Sequence, residues 1–216
     1  MYFHTIYCDQ DGITADFHTE AVRAHMRVGR RYPSLSHSGT PLQLSGEYLR
    51  SRWPLGVSCH IFTCPELNEV KDYWDDEMDT FWKPIREDPL FWHNLPVFPW
   101  TFELVKLLKN HCKHLVFVTT PDKDTSSYAG KYAWLRRHGL DNHELITMKQ
   151  KWRLARPDAL IIDDFHVHVN NWHKECQELF NVHGHALLFP QPWNPNHHAS
   201  RDPMNFIRHY LATKPQ

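Results

Sequence analysis

Residues 114–119, HLVFVT, form a short apolar, β-branched run that ends on a hydroxyl, and they read as a strand buried on both faces. On their N-terminal side, residues 100–110 (WTFELVKLLKN) place Phe102, Val105 and Leu108 at helical spacing. On their C-terminal side, 126–138 read as a helix and 143–147 as a strand. Residues 159–163 (ALIID) form a second buried strand, followed by a helix over 168–180, a strand over 185–189 and a closing helix over 203–212. From residue 100 onward strands alternate with helices, which predicts an α/β fold: a parallel sheet with helices on both faces. Residues 2–8 are also β-prone. They must join this sheet, because a lone strand has nowhere to bury two faces.

Between that first strand and the alternating region the pattern differs. Residues 17–32 read as a helix with Phe17, Ala21, Val22 and Met26 on one apolar face. Residues 33–66 lose periodicity and collect Pro33, Pro41, Pro54 and Pro65, so loops and short elements are expected. The charged stretch 68–88, NEVKDYWDDEMDTFWKPIRED, reads as a helix pair with its Trp and Phe residues inward and Asp75-Asp76-Glu77 on a solvated face. The expected organisation is one core, residues 1–16 and 97–216, interrupted by a small, mainly helical cap over 17–96.

Bulk composition narrows the function classes. The chain has 216 residues, with 24 Lys plus Arg against 25 Asp plus Glu, a formal net charge of -1. That balance offers no surface for tracking a nucleic-acid backbone, so no nucleic-acid partner is expected. A small anion needs only a local cluster of cations. The 18 His are densest at His166-Val167-His168, His183-Gly184-His185 and His197-His198, and none of these makes an HExxH pair or a Cys-Cys…His-His frame. The five cysteines (Cys8, Cys59, Cys64, Cys112 and Cys176) are odd in number, irregular in spacing and without CxxC, which suits a reducing compartment. The N-terminal stretch MYFHTIYCDQDG has no cationic or apolar leader region, and no apolar run approaches the ~18 residues of a membrane span. The expectation is a cytoplasmic protein with no membrane partner.

Ligands of open parallel sheets bind beyond the carboxyl ends of the strands. Here those ends read Asp9-Gln10-Asp11-Gly12, Thr119-Thr120-Pro121 and Asp163-Asp164, with Lys149 and Lys151 ahead of the third. Converging acids repel one another unless a cation sits among them, and hard oxygen donors without thiolate or imidazole favour Mg²⁺. Residues two apart in an extended segment point the same way, so Asp9 and Asp11 face one site, and Gly12 permits a tight departure from the strand. One carboxylate can then attack phosphorus while the other handles the leaving-group proton. Each motif alone is weak: DxDG occurs in calcium loops, Thr119-Thr120 and Asp163-Asp164 suit helix caps, and a lone lysine is usually on the surface. The calcium-loop reading fails at its fifth and sixth positions, Ile13 and Thr14, although Glu20 falls at the twelfth. Their joint order around three strand ends carries the signal.

IYCDQDGITADF (6–17) resembles the first motif of the haloacid dehalogenase (HAD) superfamily, in the form found in the 5'(3')-deoxyribonucleotidases of the cytosolic type C 5'-nucleotidase family. VFVTTP (116–121) resembles that family's second motif and LIIDD (160–164) its fourth. KYAWL (131–135) and LPVFPWTFELVKLL (95–108) match further stretches, and the tail K-x-x-x-A-R-P-D-x-L-I-I-D-D (151–164) looks like bacterial and phage members. The resemblance implies an HAD-like Rossmannoid core with a cap, Mg²⁺ as cofactor and a nucleoside monophosphate or other small phosphoester as partner; a homodimer is allowed. It implies Asp9 as nucleophile, Asp11 as general acid and base, and Thr119 as a phosphate-binding hydroxyl. Lys151 is implied as the lysine bridging nucleophile and phosphate, with Lys149 as second choice. Asp163 would ligate the metal with Asp164 orienting or assisting, and Asp9 and the backbone carbonyl of Asp11 would complete the metal's shell. Phe17 would pack beside the base, and Thr120 and Lys131 would reach the phosphate or the metal's water shell. Two departures stand out: Lys151 and Asp163 lie further apart than in mammalian members, and Phe165 stands where relatives often carry Arg.

Trp53, Trp74, Trp82, Phe91 and Trp92 could stack on a base or fill a small helical core. A different class of function, a non-catalytic domain that holds a nucleotide without turnover, is disfavoured by the intact Asp9, Asp11, Lys151 and Asp163.

Overall fold

A computed structural model describes residues 2–17, 20, 21, 24, 82–191 and 194–213. Five strands run β1 (Phe3–Asp9), β2 (Cys112–Thr119), β3 (Glu144–Thr147), β4 (Ala159–Asp163) and β5 (His185–Leu188). They form one parallel sheet in the order β3-β2-β1-β4-β5, as the alternation of apolar runs and helical segments predicts. Helices α1 (Thr101–Lys109), α2 (Thr125–Arg137), α3 (His166–Phe180) and α4 (Pro203–Thr213) surround it.

Period-2 alternation divides the core between the two faces. Ile6, Cys8, Leu160 and Ile162 join one buried cluster with Leu104 and Leu108 of α1, Trp134 and Leu135 of α2, and Ile207 of α4. Tyr7, Val116, Val118, Ala159 and Ile161 face the other way onto Trp172 and Cys176 of α3. Strands buried on both sides must be apolar throughout, which is why these segments read clearly in the sequence.

The inward face of α1 differs from expectation. Thr101, Leu104, Val105 and Leu108 are buried, whereas Phe102 is 53% exposed. The i, i+3, i+4, i+7 set begins one residue earlier than the Phe102 reading, because Thr101 is drawn inward to donate its hydroxyl to the Thr14 carbonyl at 2.9 Å. Trp100 Nε1 donates to Ile13 O at 2.9 Å, so the start of α1 holds the loop that follows β1.

At the opposite end of the sheet β2 overruns its neighbour, since β3 begins only at the partner of Val116. The resulting notch is a cavity of about 300 Å³ bordered by Lys109, Lys113, His114 and His143. Lysines along a half-paired strand discourage another chain from adding to it.

Most of the expected cap lies outside the described residues, including Val22, Met26, Trp53, Trp74, the loops of 33–66 and the acidic run Asp75-Asp76-Glu77. At its two ends, residues 17, 20, 21 and 24 and residues 82–86 are helical. Ala21 and Ala24 are buried, and Phe17 and Trp82 pack on the core. Cys8, Cys112 and Cys176 are buried free thiols, while Cys59 and Cys64 lie outside the described residues. Among the described residues no helix is long and apolar enough to cross a membrane.

Candidate active site

The sheet reverses direction at β1: α1 and α2 carry the chain outward through β2 and β3, and β4 then returns to pair with β1 on its other side. The crevice beyond β1, β2 and β4 is therefore the topological switch point, the usual ligand position in such sheets. Asp9 is the last residue of β1 and pairs in register with Val118, one residue short of Thr119. Cys8 pairs with Ile162, which brings Asp163 level with Asp9.

Beyond Asp9 the chain turns back at once. Thr14 N and Ala15 N donate to Gln10 O at 3.0 and 2.9 Å, and Gly12 N donates to Ala15 O at 2.9 Å. Gly12 sits at φ 76°, a left-handed conformation that disfavours any side chain. A Cβ there would also lie 2.2 Å from Asp164 Oδ2. Gly12→Ala is expected to cost about 1–2 kcal/mol from the backbone alone and to push the Asp164 carboxylate out of place. Thermal melts and Mg²⁺ titration of the variant check this; unchanged Mg²⁺ affinity would show that Asp164 has room to shift without consequence.

Asp9, Asp163 and Asp164 are all buried, and each offers a carboxylate oxygen within 4.8 Å of the others. Among the described residues they are the one group of three or more acids, cysteines or histidines close enough to share an ion. Lys151, in a short 3₁₀ turn over Lys151–Leu154, is buried and reaches between them, with Nζ 2.5 Å from Asp9 Oδ2 and 2.9 Å from Asp163 Oδ2. Lys149 is exposed. Asp163 also accepts from the Phe165 backbone N at 2.9 Å and pairs with His168 Nδ1 at 2.9 Å. His168 belongs to the His166-Val167-His168 stretch, whose spacing fits no metal frame and gives no sign of a carboxylate partner. It lies on the first turn of α3, five residues after Asp163, and nothing distinguishes it from the chain's other histidines until the helix is in place.

The Asp11 carboxyl, expected as general acid and base with only its backbone carbonyl toward the metal, stands apart from the three clustered acids. Its Oδ2 is paired with Lys131 and accepts from Thr119 Oγ1 at 3.3 Å. Its Oδ1 is buried and has no hydrogen-bond partner among the described residues. Lys131, fully buried on α2, also donates to Thr119 Oγ1 at 2.8 Å and Thr120 O at 2.9 Å, and its Nζ lies 4.5 Å from the centre of the Trp92 ring. Thr120 turns its hydroxyl to Met148 O at 3.4 Å. Phe17 stacks on Trp92 at 5.4 Å and meets Phe91 edge-on at 5.7 Å, with Trp82 5.9 Å away. Gly130 lets Trp92 approach α2, because a Cβ there would lie 2.6 Å from Trp92 Cβ.

Burial and charge split the two central carboxyls. Burial pushes the Asp9 carboxyl up; Lys151 pulls it down, Asp163 and Asp11 push it up again, and it stands at about 7. Burial also pushes Asp163 up, but Lys151 and His168 together outweigh it and hold this carboxyl at about 2. Lys151 is discouraged from ionising by burial, yet the flanking Asp163 and Asp9 raise its pKa above the ordinary lysine value. At neutral pH the three groups therefore carry one firm positive charge, one firm negative charge and one carboxyl that titrates.

No family model matches the chain, and no curated protein matches it. Among solved structures it is similar to a hydrolase from Streptococcus pneumoniae TIGR4 and to the HAD-hydrolase YfnB from Bacillus subtilis, the latter bound to magnesium. In each case identity is 11%, the match covers 98% of this chain and 100% of the other, and the TM-score is 0.49.

Proposed function

We propose that this chain is a Mg²⁺-dependent phosphatase of the HAD type that hydrolyses (deoxy)nucleoside 5'-monophosphates to nucleoside and phosphate through a phosphorylated Asp9. The observation that carries this reading is the Asp9 carboxylate at the switch point, held against Lys151 and beside a second, paired acid, Asp163. The donor set fits the metal. Three carboxylates within reach of one ion supply hard oxygens, and among the described residues Asp163 Oδ1 accepts from just the Phe165 backbone N. Asp9, Asp163 and Asp164 would hold Mg²⁺, which supplies positive charge to the phosphoryl oxygens when bound.

The chain's own residues divide the remaining work. An oxygen of Asp9 attacks phosphorus, the bond from phosphorus to the ester oxygen breaks, and the leaving alkoxide takes a proton from Asp11. Asp11 then accepts a proton from the water that attacks phosphorus, releasing phosphate and restoring the Asp9 carboxylate. The unpartnered Asp11 Oδ1 is the oxygen available for both transfers, while Lys131 and Thr119 keep Oδ2 in place. Lys151 balances the charge that collects on Asp9 and the phosphoryl group. The partly buried Phe17, backed by the buried Trp92 beside Lys131, supports a substrate with a planar base, for which stacking is worth about 1–3 kcal/mol per base. A panel of nucleoside 5'-monophosphates, sugar phosphates and simple aryl phosphates with Mg²⁺ tests the proposal. Preference for nucleotides is expected; equal low turnover on every member would remove the nucleotidase assignment and leave a phosphatase of other specificity.

Metal and proton compete for Asp9. With its carboxyl near 7 in the metal-free protein, Mg²⁺ must displace a proton below that pH. Apparent Mg²⁺ affinity is expected to rise between pH 6 and pH 8 and to level off above, approaching tenfold per pH unit on the acid side. Calorimetry in buffers of different ionisation enthalpy would register the released proton. The same values set the stability of the metal-free protein. The contribution from neutral Asp9 is present below its unfolded value of 3.8 and lost as pH rises through about 7. That from ionised Asp163 is present above 3.8 and lost as pH falls through about 2.

A further inference from the structure

We propose that Gln191 and Asn194, in the loop after β5, are positioning residues that set the geometry of the metal-binding carboxylates through the backbones of Gly12 and Asp164; the inference rests on the Mg²⁺ site proposed above. Both amides are buried, at 2% and 6% exposure, in a loop otherwise far from β1 in the chain. Gln191 Nε2 donates to Gly12 O. Asn194 Nδ2 donates to Asp164 O at 3.0 Å and to Phe189 O at 2.7 Å, while its Oδ1 accepts from Asn196 N at 3.0 Å and Gln191 N at 3.5 Å. Gln191 Nε2 and both ends of the Asn194 amide are thus spent on backbone partners, and together they join the loops after β1, β4 and β5.

The two anchored residues also touch each other. The Asp164 carboxylate lies against Gly12 so closely that a Cβ would fall 2.2 Å from Oδ2 and 3.2 Å from Oδ1. Wherever the Gly12 peptide sits, the Asp164 carboxylate must sit against it. Asp163, one residue earlier, is fixed separately through Phe189 N donating to Asp163 O at 2.9 Å. Asp9 is fixed by the strand. Of the three acids, Asp164 alone lies beyond the last paired strand residue, and the two amides supply the constraint that the sheet does not. Groups hydrogen-bonded to a metal's ligands typically change metal affinity or activity by about 10–100-fold when removed. Asn194, on the Asp164 carbonyl, is one step from a ligand, and Gln191, on Gly12, is one step further.

Gln191→Met keeps the length of the side chain and removes the donor to Gly12 O; Asn194→Ala removes the donors to Asp164 O and Phe189 O. Mg²⁺ binding by calorimetry is expected to weaken by about 10-fold in Asn194→Ala, whose partner is a ligand residue's carbonyl, and by a smaller but measurable factor in Gln191→Met. The Mg²⁺ concentration for half-maximal phosphatase activity should rise in parallel, and kcat at saturating Mg²⁺ should stay within a few-fold of wild type. Leu211→Ala, in α4 and away from the site, serves as a variant of lowered stability with intact amides. Wild-type Mg²⁺ affinity in folded Gln191→Met overturns the inference while leaving the proposed function standing. Equal weakening in Leu211→Ala overturns it too, by tracing the effect to stability alone. If the wild-type chain binds no Mg²⁺, both proposals fall. Asn194→Ala guards the test in the other direction: should Gln191→Met fail to fold, wild-type affinity in Asn194→Ala is sufficient to reject the idea.

Discussion

Asp9→Asn is expected to lower phosphoester hydrolysis by ~10⁴-fold or more, as removal of a nucleophile does in other covalent mechanisms. The amide is nearly the same size as the carboxyl and can still accept from Gln10 N, which donates to Asp9 Oδ1 at 2.7 Å. The fold should survive, because the substitution removes a buried acid whose carboxyl burial already raises to about 7. Lys151 keeps Asp163 as its counter-charge at 2.9 Å. Single-turnover assays with a nucleoside monophosphate and Mg²⁺, read beside thermal melts at pH 8, separate the two effects. A folded variant that retains activity would remove Asp9 from the chemistry. A folded variant that binds nucleotide without turning it over is the outcome the mechanism requires.

Lys151→Met should be the most destabilising substitution in the site. Lys151 is 1% exposed, and its removal strands Asp9 and Asp163 in a buried crevice without the ammonium that neutralises them. Breaking a buried pair by deleting one partner costs about 3–5 kcal/mol, because the remaining charge is left uncompensated. The loss should be greatest above pH 7, where Asp9 ionises, and Mg²⁺ should recover part of it by binding the folded state. Exposed Lys149 provides the contrast: Lys149→Met is expected to change neither stability nor activity measurably. Denaturant unfolding of both variants with and without Mg²⁺ reads this directly. Equal effects from the two lysines would remove Lys151 from its central place.

Much of this was legible in the residues. VFVT and LIID are apolar on both faces because both faces are covered, and an acid or hydroxyl directly after such a run can only stand at a strand end. Asp9, Thr119 and Asp163 were recoverable for that reason. The preference for Lys151 over Lys149 comes from the resemblance of the tail at 151–164 and not from periodicity, since both lysines precede β4; the 3₁₀ turn puts Lys151 in the crevice. The face of α1 was not recoverable. Phe102, Val105 and Leu108 satisfy helical spacing as well as Leu104, Val105 and Leu108 do, and the hydrogen bond from Thr101 to Thr14 selects the second set. Asp11 shows the same limit. Period 2 put it on the side of Asp9, where its charge reaches Asp9, but its partners Lys131 and Thr119 belong to α2 and β2 and carry no local mark of the pairing in the sequence.

The sequence by itself determined the alternation of strands and helices, the parallel sheet and the acids that end its central strands. Those are local properties, set by the two- and 3.6-residue periods of side chains that must be buried or left in water. The tertiary structure alone decided the contacts that no pattern marks: Lys131 on Asp11, His168 on Asp163, and Gln191 and Asn194 holding Gly12 and Asp164. These contacts join residues as far apart as 12 and 191, and a lysine, histidine or amide carries no local mark of the partner that burial will require it to find.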